Sequence, residues 1–371
     1  MKPVLSLVPA LALVAACGGG TDEPDATPSP TRASTGSTSP TTPPAPAARA
    51  PKVIGTVATG LEAPWGIDFL PDGSALVTER DSGRILRVHD GKADEVGRID
   101  ETVSGVEAGL LGLVVSPSYA QDRRIFVYTS TDDDNRVLRM TYADGRLGAP
   151  RAILTGIPRG QIHDGGRMEF GPDGALYVAT GETGDGPLAQ DPGTTAGKIL
   201  RITQDGDPAP GNPDPSSPVW TLGHRNVQGL AFDQGGNLWA SEFGQNTWDE
   251  LNLIEKGTNY GWPEVEGRGQ QDRYRNPQQV WETSKASPSG LAFAEGRLWM
   301  ASLRGERLWR IDVTGARATN PKGFFVGKYG RMRTVVVAPD RNLWVTTSNT
   351  DGRGDPQAGD DRILLVDPGT S

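Results

Sequence analysis

One unit of sequence returns six times along this chain, and nothing constrains the fold more. It is a Gly-rich lead, an apolar strand, a turn of the Pro-Asp-Gly kind, and a second apolar strand. It appears as Gly66-Ile-Asp-Phe-Leu-Pro-Asp-Gly-Ser-Ala-Leu-Val-Thr78 and as Gly112-Leu-Val-Val-Ser-Pro117, where a longer turn leads to Ile125-Phe-Val-Tyr128. Further copies run from Met168 to Ala179, Gly229 to Ala240, Gly290 to Ala301 and Val335 to Thr346. Turn residues of this kind between short apolar runs mark hairpins. Most copies are followed by a third strand in which Ile or Leu alternates with basic residues, as in Arg84-Ile-Leu-Arg-Val88 and Lys198-Ile-Leu-Arg-Ile202. No long window carries a 3.6-residue period. Several strands per unit, repeated at this spacing, specify the blades of a propeller. A decorated β-sandwich would not repeat one turn six times. The expected fold is therefore all-β, a six-bladed β-propeller over 51–371. The early strand from Lys52 to Val57 is expected to join the last blade and close the ring, which removes an exposed edge.

The residues before the propeller point to export. Lys2 precedes an apolar run from Val4 to Ala16 that ends in Val14-Ala15-Ala16-Cys17. That run falls short of the roughly 20 residues that span a bilayer and has the length of a signal-peptide core. Small residues followed at once by cysteine predict a lipoprotein signal peptide over 1–16, with lipidation at Cys17. Cys17 is the sole cysteine of 371 residues, so no disulfide forms, as suits an oxidising compartment. Residues 17–50, rich in Ser, Thr and Pro, cannot bury enough apolar surface to order themselves and read as a disordered tether. The expected location is the outer face of the cell membrane, with the membrane contacted through the N-terminal lipid only. The net charge of -9 excludes a nucleic-acid partner, which would need a basic face.

Propeller sites form where loops gather at one mouth. The third blade opens with Gln161-Ile-His-Asp-Gly-Gly-Arg167, and its second strand leads to Glu182. The hairpin brings the chain back to the same mouth, so Glu182 can orient His163 and raise its basicity. Arg225, Arg331 and Arg333 lie in loops opening other blades. Guanidinium forks converging on one mouth suit a ligand with several carboxylates. His89, in Val-His-Asp-Gly, reads as a surface turn residue.

The runs Gly223-His-Arg-Asn-Val-Gln-Gly-Leu-Ala-Phe232, Asp249-Glu-Leu-Asn-Leu-Ile254 and Gly257-Thr-Asn-Tyr-Gly-Trp-Pro263 closely resemble the soluble quinoprotein glucose dehydrogenases. They are also similar to the periplasmic PQQ-dependent aldose sugar dehydrogenases, and the likeness extends over nearly all of Val53 to Asp367. The resemblance implies pyrroloquinoline quinone (PQQ) and Ca²⁺ as cofactors and oxidation of an aldose at C1 to its lactone. Electrons would pass to an acceptor in the envelope. It implies His163 as general base with Glu182 orienting it, and Arg225, Asn226, Arg304, Arg331 and Arg333 as cofactor contacts. Arg225 and Asn226 would also meet substrate, as would Glu107, which stands where the family has Gln. The Ca²⁺ beside the cofactor would sit on the carbonyls of Gly244 and Gln245, and a structural Ca²⁺ would be bound through Glu250 and Tyr260. Oxygen ligands suit such a hard cation. Departures are Glu182 for Asp, Arg304 for Lys and Gln245 for Pro. Two other readings stand beside this one: a Ca²⁺-dependent lactonase-type hydrolase on the same fold, and a propeller that binds without catalysis.

Overall fold

The computed structural model describes residues 49–369. The expected signal peptide, Cys17 and nearly all of the tether lie outside the described residues. Six antiparallel sheets are arranged as a β-propeller, as the repeats require. The first blade runs Pro64–Phe69, Ala75–Glu79, Arg84–His89, Lys92–Arg98 from the channel outward. In the second blade the long turn of the repeat holds a short helix, Tyr119–Asp122. The sixth blade comprises Met332–Val337, Leu343–Thr347 and Arg362–Asp367, and its outermost strand is Lys52–Thr59, from the other end of the propeller domain. The ring thus closes through Lys52–Thr59, as expected.

The glycine that leads most repeats has a steric cause. The first strands of neighbouring blades pack on one another around the axis. A Cβ on Gly112 would stand 2.1 Å from the Gly166 carbonyl, and one on Gly229 would stand 2.3 Å from the Ser289 carbonyl. Only a residue without Cβ lets the backbones approach so closely. Hydroxyls of the second strands complete the seam. Thr78 donates to the Leu111 carbonyl at 2.6 Å, and Ser241 donates to that of Ser289 at 2.6 Å. At the closure, Thr334 donates to the Trp65 carbonyl at 2.5 Å.

The core lies between blades. One cluster joins Trp65, Leu111, Phe126, Met168 and Leu200 across the first three, and another joins Trp299, Val335 and Leu364 across the last two. At about 25 cal/mol per Å² of apolar surface buried, these faces supply the main drive to close the ring. Lys198 is a buried cation held by main chain: its ammonium donates to the carbonyls of Leu188, Ala189 and Ala196 at 2.6–3.1 Å.

Candidate active site

The loop before the third blade carries His163 and is pinned from several sides. His163 adopts φ +61°, a left-handed conformation that costs a residue with a Cβ about 1–2 kcal/mol. Its carbonyl lies against Gly181, where a Cβ would come within 1.7 Å, so Gly181 is what lets the two loops meet. Its N–H donates to Glu107 Oε2 at 2.9 Å. The ring Nδ1 sits 2.5 Å from Glu182 Oε1, and both side chains are buried. The hairpin argument placed Glu182 beside His163, and the structure brings them together. An ionised carboxylate there holds the proton on Nδ1 and leaves Nε2 as the basic nitrogen. Among the described residues Glu182 Oε2 has no hydrogen-bond partner.

Glu107, which accepts the His163 N–H, also lines a cavity of about 310 Å³ together with Trp65, Gln228 and Phe243 and five arginines: Arg80, Arg304, Arg331, Arg333 and Arg353. Arg331 and Arg333 converge there as expected. They are not free cations, however. Arg331 Nη2 donates to Asp351 Oδ2 at 3.0 Å, and Arg333 Nη2 to the same oxygen at 3.4 Å. Arg333 also donates to Ser348 Oγ and Gln228 Oε1. Burial lowers its pKa to about 10, against the pull of Asp351. Burial would raise Asp351, but the two guanidiniums outweigh it and hold its carboxyl below the usual value. Arg304 stands exposed at the rim and makes no ion pair among the described residues.

Three of the expected contact residues are engaged by the protein itself. Arg225 does not line the cavity with the other arginines. Its guanidinium lies 5.4 Å from the Trp262 ring, donates to the Phe243 carbonyl, and leaves Nε buried without a partner among the described residues. Asn226 is buried, and both ends of its amide are engaged: Oδ1 accepts the Gly165 N–H at 3.1 Å and Nδ2 donates to Glu107 Oε2 at 3.2 Å. It holds the His163 loop. Glu107 does not bring an uncompensated charge. Its Oε1 takes Arg353 Nη1 at 3.2 Å. Burial would raise its pKa, yet the hydrogen bond from the His163 N–H and the Arg353 guanidinium hold it low.

The expected calcium ligands fall in one neighbourhood of the fourth blade. The Gly244 N–H donates to Asp249 Oδ1, and the Gln245 N–H to Glu266 Oε1; among the described residues neither carbonyl accepts a hydrogen bond. Glu250 is pushed up to about 8 by burial and by nearby Glu242. Next to it Asn252 donates to both carboxylates while its Oδ1 is buried without a partner. Tyr260 can offer only its carbonyl, because its hydroxyl donates to the Leu253 carbonyl and accepts the Glu255 N–H. The residues missed by sequence reading are Trp65, Arg80, Gln228, Asp351 and Arg353. Only Gln228, inside the motif at Gly223, had a local signal.

A profile of the Glucose / Sorbosone dehydrogenase family matches residues 61–364. The chain belongs to that family. It is accordingly an oxidoreductase of sugar CH–OH groups. Among solved structures it is similar to the PQQ-bound aldose sugar dehydrogenase of Streptomyces coelicolor, at 53% identity and a TM-score of 0.84 over 86% of this chain and 98% of that one. A putative glucose dehydrogenase of Thermus thermophilus matches at 43% identity and a TM-score of 0.80, over 84% and 98% of the two chains. The aldose sugar dehydrogenase of Escherichia coli K12 is 29% identical over 79% of this chain and 89% of its own.

Proposed function

We propose that this sugar dehydrogenase uses PQQ and Ca²⁺ to oxidise an aldose at C1 to its lactone, with His163 as general base. The observation that carries this reading is a cavity walled by five arginines and a single carboxylate, Glu107, which itself holds the main chain of a histidine buried against a carboxylate. PQQ bears three carboxylates, and the donor set fits them: planar forks from Arg331 and Arg333 at one wall, and Arg80, Arg304 and Arg353 around it. When bound, PQQ would supply the two-electron acceptor for hydride from the sugar.

The chain's own residues do the rest. Glu182 holds the His163 ring and its tautomer, so that Nε2 takes the proton of the anomeric hydroxyl as C1 is oxidised. The imidazolium so formed is stabilised by Glu182 at 2.5 Å, where a positioned base contributes about 10² to 10⁴ in rate. For calcium the test rests on oxygen chemistry. Two all-oxygen sets suit Ca²⁺: the Gly244 and Gln245 carbonyls for an ion beside the cofactor, and for a structural ion the Glu250 carboxylate, the Tyr260 carbonyl and the Asn252 Oδ1, which is buried without a partner among the described residues. Glu250 is buried beside Glu242, and a cation bound there would offset the burial and repulsion that raise its pKa.

A lactonase-type hydrolase would hold its metal in the channel on several acidic and amide side chains. The family whose model matches residues 61–364 is that of the glucose and sorbosone dehydrogenases, so the dehydrogenase reading is preferred. Export, lipidation at Cys17 and an acceptor in the envelope belong to the same proposal and rest on the sequence from Val4 to Cys17. The test is to add PQQ and Ca²⁺ to the purified chain and follow the quinone absorbance on adding aldoses. A change that needs both cofactors and a sugar supports the reading; none with any aldose, under conditions where PQQ binds, overturns it.

A further inference from the structure

We propose that Glu107 is a positioning residue that holds the His163 backbone, with Arg353 as its counter-ion, and that it is not a sugar ligand. The proposal rests on His163 acting as the base. Three observations carry it. His163 sits at φ +61°, so its loop needs tertiary contacts to stay there. Its buried N–H, which would otherwise lack an acceptor, donates to Glu107 Oε2. That same oxygen also accepts from Asn226 Nδ2, while Asn226 Oδ1 takes the Gly165 N–H. Glu107 and Asn226 therefore clamp residues 163–165 as one unit.

The other carboxylate oxygen is held as well. Arg353, from the loop after the second strand of the sixth blade, donates to Oε1 across 246 positions of sequence. The Arg353 N–H donates in turn to Asp351 Oδ1, and Asp351 also pairs with Arg331 and Arg333. Glu107 thus has a partner on each oxygen before any sugar arrives. Glu182 fixes the ring of His163 and Glu107 fixes its main chain. A neutral amide does this less well. If its oxygen accepts the His163 N–H, its NH₂ is left facing the Arg353 guanidinium, donor against donor.

The test compares Glu107→Leu, Glu107→Gln and Arg353→Met in the full chain. A small displacement of a base costs rate and not affinity, so Glu107→Leu should lower kcat on the order of 10- to 100-fold. KM for the sugar should stay within about threefold, since ground-state binding is untouched. Glu107→Gln should lose less. A readout independent of activity is the ring resonance of His163 in apoprotein, one of three histidines. It should broaden in Glu107→Leu and less so in Arg353→Met, with the His224 signal unchanged as the mark of an intact fold. Should Glu107→Leu not fold, Arg353→Met carries the test, since it leaves the carboxylate in place. A raised KM with kcat intact would make Glu107 a sugar ligand. An unchanged His163 resonance in a folded variant would also overturn the proposal. A wild type that oxidises no aldose removes the proposed function, while the resonance still decides whether Glu107 positions His163.

Discussion

Replacing Arg333 by alanine should weaken PQQ binding roughly thirtyfold without unfolding the blade. Arg333 is buried at the wall of the cavity, and its charge is shared with Asp351 at 3.4 Å. Two unit charges about 4 Å apart interact by roughly 4 kcal/mol at an effective dielectric near 20. Because Asp351 already takes part of that field, about half is left for a cofactor carboxylate, or about 2 kcal/mol. At 1.4 kcal/mol per decade this is roughly thirtyfold in Kd. The fold should survive, because no partner is orphaned. Asp351 Oδ2 keeps Arg331 at 3.0 Å and Ser348 at 3.0 Å, and Gln228 Oε1 keeps Ser289 at 3.0 Å. The assay is a PQQ titration read by tryptophan fluorescence, since Trp65 lines the cavity 5.9 Å from the Arg333 guanidinium. A midpoint that stays within about a factor of two, in a variant that melts like wild type, would refute the electrostatic reasoning, since such a shift is under 0.5 kcal/mol.

Calcium should raise the melting temperature of wild type, as any ligand of the folded state does, and Glu250→Gln should remove most of that increment in a thermal scan with and without chelator. Asp351 has a folded pKa below its unfolded value, so it adds stability above about pH 4 that is lost as pH falls through the folded value. Asp351→Asn should therefore show a shallower acid loss in chemical denaturation across that window, and an identical slope would contradict the pairing. Cys17→Ser should abolish incorporation of labelled fatty acid and release the chain from membranes, as cell fractionation would show; a Cys17→Ser chain that stays bound would place the anchor elsewhere.

The blades were legible because their inner strands carry a local code. The apolar run, the turn and the glycine of close approach all sit within about a dozen residues, and each follows from packing around an axis. The outer strands carry no such code. Lys92–Arg98 mixes exposed and half-buried positions with no buried residue and no strict alternation, so its sequence does not distinguish it from a loop. His163 and Glu182 could be paired from sequence because one hairpin joins them. Asp351 could not. It lies in a Gly- and Asp-rich loop, and its importance comes from arginines 18 and 20 positions away. Arg353 and Glu107 meet only once the ring closes, and the direction of Arg225 was not legible because a position at a blade mouth does not fix which way a long side chain turns. Trp262 and the Phe243 carbonyl took it.

The most direct test of the central claim is single-turnover reduction by sugar in the PQQ- and Ca²⁺-loaded His163→Gln variant, followed by stopped-flow absorbance. The arginine wall and the calcium ligands are untouched, so the variant should bind PQQ with the wild-type midpoint. Its sugar-driven reduction should be slower by about 10² to 10⁴, the contribution of a positioned base. A His163→Gln protein that binds PQQ and is reduced at the wild-type rate would contradict the account.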